Sequence, residues 1–242
     1  MTNTTLTTIA STTASTTVYG YEDLGHLMAL MSGDEKHDAA ATSTLDVLWV
    51  LYDRVLRVDP RAPDAPDRDR FLLSKGHGPM AYYAVLAAKG FIGTDLLRGF
   101  GSFDSPLGLH PDRVLLPGVE IGSGSLGHGL GLAVGTALGL RQRALHRSRV
   151  FTLLGDAELD EGSNHEAIAY AGAVGLDGLR AVVIDNVSST HGWRGGVATR
   201  FDREGWTTRT VDGRDHDALE AAFNAAEPGR PHVVVAVVEP KN

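Results

Sequence analysis

VFTLLGDAELDEGSN, residues 150–164, joins a short apolar run to a turn that contains four acidic residues. An apolar run of this length, residues 150–154, is typical of a buried strand. Gly155-Asp156 ends the run, and a helix is predicted over residues 162–174. The stretch therefore predicts one strand–turn–helix unit of a parallel sheet.

The rest of the chain alternates helical and strand-like patterns around this unit. Strands are predicted at residues 150–154, 180–185, 206–211 and 232–238, and helices at residues 19–31, 43–58, 79–89, 126–146, 162–174, 198–204 and 216–226. This alternation predicts an α/β fold, a parallel sheet flanked by helices, with right-handed crossovers. Ligands of such sheets bind at the carboxyl ends of the strands.

The segments between these elements carry further expectations. Residues 1–18 are mostly threonine and are predicted to be a disordered tail. The charges of the Pro- and Asp-rich loop 59–70 are expected to be solvated. Residues 101–125 are rich in Gly, Pro and Ser, and so long an irregular loop inside a compact domain is usually functional. In the helix that follows, Gly135 and Gly139 are expected to permit close backbone packing.

Length, charge and composition exclude several classes of function. Residues 19–242 are enough for one α/β domain with a full core. The chain has a formal net charge of −8, no cysteine and no basic tract, so neither disulfides nor a nucleic-acid partner are expected. Nothing approaches the roughly 20 apolar residues that span a bilayer, and residues 1–18 lack the features of a secretory signal. We expect no membrane partner and a cytoplasmic protein.

Two oxygen-bearing side chains follow consecutive strands of the predicted sheet. Asp156 comes after the strand at 150–154 and Asn186 after the strand at 180–185, a separation of 186 − 156 = 30 residues, as in one strand–helix–strand unit. Each residue alone could instead cap a helix or form a turn. As a pair at neighbouring strand ends, they offer the hard oxygen ligands that suit Mg²⁺ or Ca²⁺. A helix that begins after Glu161 would place its positive end near the same spot and favour a phosphate.

Several stretches of the chain together resemble the diphosphate-binding half of transketolases. Gly155-Asp156 followed by Asn186 resembles the thiamin diphosphate signature, in which Asp and Asn bind the metal that holds the diphosphate. The resemblance covers about residues 20–238. It implies that residues 19–242 form one diphosphate-binding domain with the thiamin-diphosphate-binding fold. The matching stretches are DRDRFLLSKGHG (67–78), GLHPD (108–112), LPGVEIGSGSLGHGLGLAVG (116–135), GDAELDEGSNHEA (155–167) and GWTTRTVDGRDHDAL (205–219).

The resemblance implies a role for each matching residue. The metal ligands would be Asp156, Asn186 and the carbonyl of Ser188. The residues along thiamin diphosphate would be His77, Gly124, Ser125, Leu126, Gly155, Asp156, Ala157, Glu161, Asn186, Ser188 and His191. The catalytic residues, which line the substrate channel and can donate to hydroxyls and oxyanions, would be His37, His77 and His110. No role is implied for Glu158 and Asp160, which are expected to belong to a solvated helical turn.

The same resemblance implies an activity and a partner. The chain resembles the N-terminal subunit of a split transketolase-like enzyme, which transfers a two-carbon ketol unit from a ketose to an aldehyde. Because the sequence stops at Asn242, soon after the last predicted strand, we expect a C-terminal subunit that carries the pyrimidine-binding domain. The expected assembly has two copies of each subunit, uses the glycine-rich stretch 122–135 as an interface, and acts on sugars or sugar phosphates.

Two alternatives to this activity stay open. One is another thiamin diphosphate enzyme, with a ketoacid, a sulfosugar or a specialised metabolite as substrate. The other is a non-catalytic regulatory partner that has the same fold.

Overall fold

The computed structural model describes residues 19–31, 38–76 and 78–240. The predicted tail, His37 and His77 therefore lie outside the described residues. The strands are β1 (Arg70–Leu73), β2 (Val150–Gly155), β3 (Leu179–Asp185), β4 (Thr207–Asp212) and β5 (His232–Val237). The α-helices are α1 (Leu24–Ala29), α2 (Asp38–Val50), α3 (Pro79–Ala88), α4 (His128–Gln142), α5 (Gly162–Ala173), α6 (Val197–Arg203) and α7 (His216–Phe223).

All five strands are parallel and form one sheet in the order β1-β2-β3-β5-β4. The central strands β2 and β3 are neighbours, with Val150 opposite Leu179 and Gly155 opposite Ile184. Every residue of β2 is buried, as is usual when helices cover both faces of a parallel sheet. The predicted α/β fold is confirmed.

Helices cover the two faces of the sheet and enclose two apolar clusters. Side chains such as Phe151 and Val182 pack on one face with α1, α2, α3 and α7. Side chains such as Leu154 and Val183 point to the other face and pack with α4, α5 and α6. Alternate residues of each strand thus belong to different clusters, which fixes the register of the strands and the positions of their carboxyl ends.

The prediction of a solvated loop over residues 59–70 is wrong at its end. Arg70 begins β1, which the sequence pattern does not predict, and the preceding Asp69 is fully buried. The Asp69 carboxylate accepts hydrogen bonds from the backbone and guanidinium of Arg57 and of Arg149. A buried carboxylate with these partners ties the start of β1 to the start of β2.

The predicted helix start at Ser43 is also wrong. Helix α2 begins at Asp38, so Ser43 lies inside the helix, where it is buried. The α-helix ends at Val50 and continues as one π-helical turn over Leu51–Val55. Burial against α3 and α7 therefore outweighs the capping signal that Ser43 provides in the sequence.

Candidate functional site

Asp156 and Asn186 lie side by side at the carboxyl ends of β2 and β3. The backbone N–H of Asp156 donates to the carbonyl of Ile184 at 3.0 Å and so continues the ladder between the two strands. Both residues are buried, with 2% and 6% of their surface exposed. The two side chains that the sequence pairs as metal ligands are thus neighbours in space.

The carboxylate of Asp156 is fully hydrogen-bonded by its own turn and by the loop after β3. Its Oδ1 accepts from the N–H of Ala157 at 2.8 Å and from the hydroxyl of Ser188. Its Oδ2 accepts from the N–H groups of Ser188 and Ser189, at 2.6 and 3.2 Å. Four donors thus surround the two oxygens of this carboxylate. The side chain of Asn186, by contrast, makes no hydrogen bond within the described residues.

A second carboxylate holds the far part of the same loop. Asp160 accepts from the hydroxyl of Ser189 at 2.9 Å and from the N–H groups of Thr190 and His191 at 3.0 and 3.4 Å. Desolvation raises the pKa of Asp160, but these hydrogen bonds outweigh it, and the pKa lies below its usual value. Asp160 therefore fixes the loop that carries Ser188 and His191.

The same loop begins with a strained residue. Val187, directly after Asn186, has a φ of 56°, a conformation that β-branched side chains rarely adopt. Its side chain is 72% exposed, so packing against the described residues does not explain the conformation. Strain of this kind is concentrated at binding sites and switch regions.

Glu158 is the residue whose surroundings differ most from the sequence-based expectation. It is 2% exposed rather than solvated, and its Oε1 accepts from the hydroxyl of Ser74 and from the N–H of Gly127, the latter at 3.0 Å. Its Oε2 has no hydrogen-bond partner in the described structure, and burial raises the pKa of the carboxyl. Glu158 thus joins the turn after β2 to the end of β1 and to the start of α4.

Glycines make these close approaches possible. A Cβ on Gly129 would lie 2.2 Å from the Cβ of Ser74, and the N–H of Gly129 donates to the Ser74 hydroxyl at 3.0 Å. The close packing predicted for Gly135 and Gly139 is wrong within the described residues, since a Cβ at either position would meet no atom within 4 Å. In α4, the position that requires glycine is therefore Gly129, in the first turn of the helix.

The loop before α4 brings a second group of predicted residues beside the first. Gly124 has a φ of 114°, and a Cβ there would lie 2.9 Å from the imidazole ring of His110. Ser125 and Leu126 follow and are exposed. A Cβ on Gly76 would lie 3.3 Å from Leu126, so the segment after β1 also reaches this place. His110 and residues 124–126 thus flank the carboxyl edge of the sheet.

Glu161 lies between the two groups. It is exposed, occupies the N-cap position of α5 without a side-chain capping bond, and lies against Gly127, where an added Cβ would meet the Glu161 Cβ at 2.8 Å. The hydroxyl of Ser163 donates to the carbonyl of Gly127 at 2.7 Å, which fixes the start of α5 against that of α4. The Glu161 carboxylate is therefore available at the surface.

Lys75 is a residue of this site that the sequence patterns do not reveal. Its side-chain carbons lie 3.7 Å from the position of a Cβ on Gly155, so the side chain runs beside the end of β2. The positive charge of Lys75 also lowers the pKa of Glu158, against the larger effect of burial. Only the short strand β1 brings Lys75 here, and that strand has no clear signal in the sequence.

The arrangement has two hard oxygen donors, a lysine and a helix N-terminus at one sheet edge. Such a set can hold a divalent cation and a phosphate group. Within the described residues, no group of three or more His, Asp or Glu side chains is placed to hold a metal by itself. A metal bound here would therefore take its remaining ligands from the backbone, from water or from a phosphate.

Comparisons with known proteins agree with this geometry. Residues 27–238 match the family model described as "Transketolase, thiamine diphosphate binding domain". The chain is 36% identical over 207 residues to one of the subunits of an apulose-4-phosphate transketolase from Actinobacillus succinogenes, a match that covers 83% of this chain and 75% of that protein. The transketolase from Leishmania mexicana has a similar fold, with a TM-score of 0.78 and 26% identity over 91% of this chain and 37% of that one.

A further relative has a different kind of name. The chain is 55% identical over 222 residues to "Ferredoxin fas2" from Rhodococcoides fascians, a match that covers 92% of this chain and 73% of that protein. Iron–sulfur clusters are held by cysteine thiolates, and the 242-residue sequence contains no cysteine. The similarity therefore does not carry an iron–sulfur site into this chain.

Proposed function

The chain belongs to the transketolase family, and from that membership we propose that it is the N-terminal, thiamin-diphosphate-binding subunit of a split transketolase. Its activity is that of a transferase, which moves a two-carbon ketol unit from a ketose to an aldehyde when a second subunit is present. The observation that carries the proposal is the buried pair Asp156 and Asn186 at adjacent strand ends, within a chain that matches the family's cofactor domain.

The residues at this edge fit the cofactor and a divalent metal. Asp156 and Asn186 supply oxygen ligands suited to Mg²⁺ or Ca²⁺, and the Asn186 amide is buried with no hydrogen bond to another described residue. The missing side chain of Gly155 and the charge of Lys75 suit the approach of a diphosphate. When bound, thiamin diphosphate supplies the carbon nucleophile of the reaction.

Metal binding at Asp156 would compete with the hydrogen bonds from the loop after β3. Four donors surround the carboxylate, and a metal at its oxygens would weaken or displace one or more of them. Ser188 contributes two of the four, and its carbonyl is our proposed third protein ligand. The strained backbone at Val187 is the natural place for the movement, because leaving an unfavourable φ lowers the cost of rearrangement.

The histidines would act on the substrate rather than on the cofactor. His110 lies over Gly124 with an exposed ring, so it can reach a sugar hydroxyl and donate to oxygen as charge develops. His37 and His77 lie outside the described residues and are proposed for the same role from the sequence alone. His191 is proposed beside the cofactor because its N–H is held by Asp160.

The exposed face of α4 supports the proposal of a second subunit. Gly131, Gly135 and Gly139 lie four residues apart on that face, and a Cβ on any of them would meet no described atom within 4 Å. Glycine inside a helix costs up to about 1 kcal/mol relative to alanine, and nothing in the described chain offsets that cost. Close approach by another subunit would explain the glycines.

Exposed apolar side chains on α4 and in the loop that precedes it favour the same partner. Leu126 and Leu132 are 37% and 50% exposed, and Phe103, Val114 and Leu115 of the loop 101–125 are exposed as well. Obligate interfaces are more apolar than the rest of a protein surface. We propose that the partner carries the pyrimidine-binding domain and that two copies of each subunit assemble.

The proposed substrates are sugars or sugar phosphates, as in the Actinobacillus relative named for apulose-4-phosphate.

None of the helices in the described part of the chain is long and apolar enough to cross a membrane. The proposed location is the cytoplasm.

Calorimetry with the Asp156→Ala variant tests the cofactor site. We expect wild-type chain, together with its partner subunit, to bind thiamin diphosphate only when Mg²⁺ is present, and the variant to lose this binding. Asp212→Ala is the matched control, because Asp212 also ends a strand but lies on β4, away from the site. Equal affinity in wild type and Asp156→Ala, with unchanged circular dichroism, would show that the site is wrongly placed.

A further inference from the structure

A polar cavity lies at the edge of the sheet opposite the candidate site, where the strands begin. Its volume is about 370 Å³, and residues just before β2 and at the start of β3 form part of its wall. Four arginines line it, with two carboxylates, so the formal balance is 4 − 2 = +2 with histidine neutral. The whole chain has a formal net charge of −8, so this concentration of positive charge is local. The arginines are Arg141, Arg147, Arg149 and Arg180.

The two carboxylates of the cavity and the nearby Asp69 form a salt bridge with only one of these arginines among the described residues. Asp69 pairs with Arg149 at 2.6 Å. Glu227 pairs with Arg230 at 3.3 Å, and Asp177 accepts from the backbone N–H of Gly229 at 3.1 Å. In the described part of the chain, the remaining three arginines form no salt bridge.

The absence of a salt bridge matters most for Arg180. Its guanidinium donates to the carbonyls of Asp177 and Leu179, while its Nε is buried without a hydrogen-bond partner among the described residues. Burial, followed by repulsion from Arg149, lowers the pKa of Arg180 to about 10, although the charges of Asp177 and Asp69 partly oppose the shift. The desolvation of this guanidinium is therefore not fully offset within the protein, and an anion in the cavity would compensate for it.

We propose that this cavity binds a small multivalent anion that carries two or more phosphate or carboxylate groups. Arg141 and Arg180, which are half-buried, and the exposed Arg147 all line it. Guanidinium groups pair with phosphate and carboxylate through two parallel hydrogen bonds, so three of them suit a ligand with several anionic groups. A volume of about 370 Å³ is within the range of small-molecule sites.

Calorimetric titration of the full chain with inorganic pyrophosphate and, separately, with citrate tests the proposal. Prior passage of protein and buffers over a chelating resin removes divalent metal without adding a soluble polycarboxylate, which keeps the proposed metal-dependent site at the other edge silent, and KCl holds the ionic strength constant. We expect saturable binding of at least one anion at a stoichiometry of one per chain. Arg147→Gln should weaken it about tenfold, and Arg180→Met by more, because a hydrogen bond to a charged group is worth about 1.5–3 kcal/mol, or roughly ten- to 150-fold. Arg61→Gln is the control, since Arg61 is exposed, is paired with Asp59 and does not line the cavity.

The outcomes separate the sources of the ligand and can overturn the site. Preference for pyrophosphate assigns a phosphate-bearing ligand, and preference for citrate assigns a polycarboxylate. Weak binding that chloride and sulfate reproduce equally, or equal affinity in wild type and Arg147→Gln, would overturn the proposal. Arg147 is exposed, so its variant should fold even if Arg180→Met does not.

Discussion

Replacing Asp69 with asparagine removes one charge from a fully buried position at the start of β1. The carboxylate accepts five hydrogen bonds, from the backbone N–H and guanidinium groups of Arg57 and Arg149. Asparagine keeps one acceptor oxygen but turns an amide NH₂ toward these donors. The start of β1 then loses its anchor to β2. The same strand leads to Ser74 and Lys75 at the candidate site, so their positions lose this support as well.

The expected loss is about 3 kcal/mol of unfolding free energy. Removing one partner of a buried charge pair costs about 3–5 kcal/mol, and the lower end applies because water can solvate the two guanidinium groups. Their side chains are 45% and 22% exposed, whereas Asp69 is 0% exposed. A loss of this size in a chain of 242 residues lowers Tm by roughly 6–12 °C.

The same variant predicts a pH dependence. Desolvation raises the pKa of Asp69, but the hydrogen bonds from Arg149 and Arg57 outweigh it and hold the pKa below its usual value. The stabilisation by a carboxylate with a lowered pKa is present above the unfolded-state pKa, about 3.9, and is lost as the pH falls through the folded-state pKa. The stability difference between wild type and Asp69→Asn should therefore be largest near neutral pH and shrink below about pH 4.

Urea unfolding followed by circular dichroism at pH 7 and below pH 4 measures both effects. Asp59→Asn is the control, because Asp59 is an exposed carboxylate that pairs only with Arg61 in its own loop and should matter little. A loss below about 1 kcal/mol for Asp69→Asn at pH 7, with an unchanged m-value, would refute the anchoring role.

Three further predictions concern the site and its partner. Glu158→Ala removes two hydrogen bonds to a buried carboxylate, so the affinity for thiamin diphosphate should fall at least about tenfold. Glu158→Gln should retain part of that affinity. Calorimetry with Mg²⁺ measures the affinity of both variants. A Cβ on the exposed Gly135 would meet no described atom within 4 Å, so the isolated Gly135→Leu chain should keep its fold. Sedimentation should nevertheless show weaker assembly with the second subunit than for Ala221→Leu on the exposed face of α7. An unchanged assembly would remove α4 from the interface. His110→Ala should lower kcat by roughly ten- to 150-fold with little change in cofactor affinity, and a wild-type kcat would leave this histidine only a packing role.

The sequence predicts the part of the fold that local patterns control. The run 150–154 and the run 180–185 lie one strand–helix–strand unit apart, and they are indeed neighbouring strands of a parallel sheet. Asp156 and Asn186 directly follow them, so their proximity could be expected from the spacing alone. The connections between successive strands and helices bring these carboxyl ends together, and short-range sequence patterns predict such connections well.

What the sequence does not predict depends on distant pairing. β1 has only four residues, and its partner β2 lies about 80 residues further along the chain, as the pairs Arg70–Val150 and Leu73–Leu153 show. Asp69 and Glu158 look like surface charges in the sequence, since acidic residues are rarely buried unless they are paired. Their partners come from other segments of the chain, and only the assembled sheet brings those partners into place.

Ketol transfer measured with and without the second subunit tests the central claim most directly. The purified 242-residue chain would be mixed with thiamin diphosphate, Mg²⁺, a panel of ketose and ketose phosphate donors, and an aldose phosphate acceptor. We predict no transfer by this chain alone and transfer to the aldehyde once the subunit that carries the pyrimidine-binding domain is added. Robust transfer by this chain alone, or none from the assembled complex with any sugar donor while thiamin diphosphate is bound, would contradict the account.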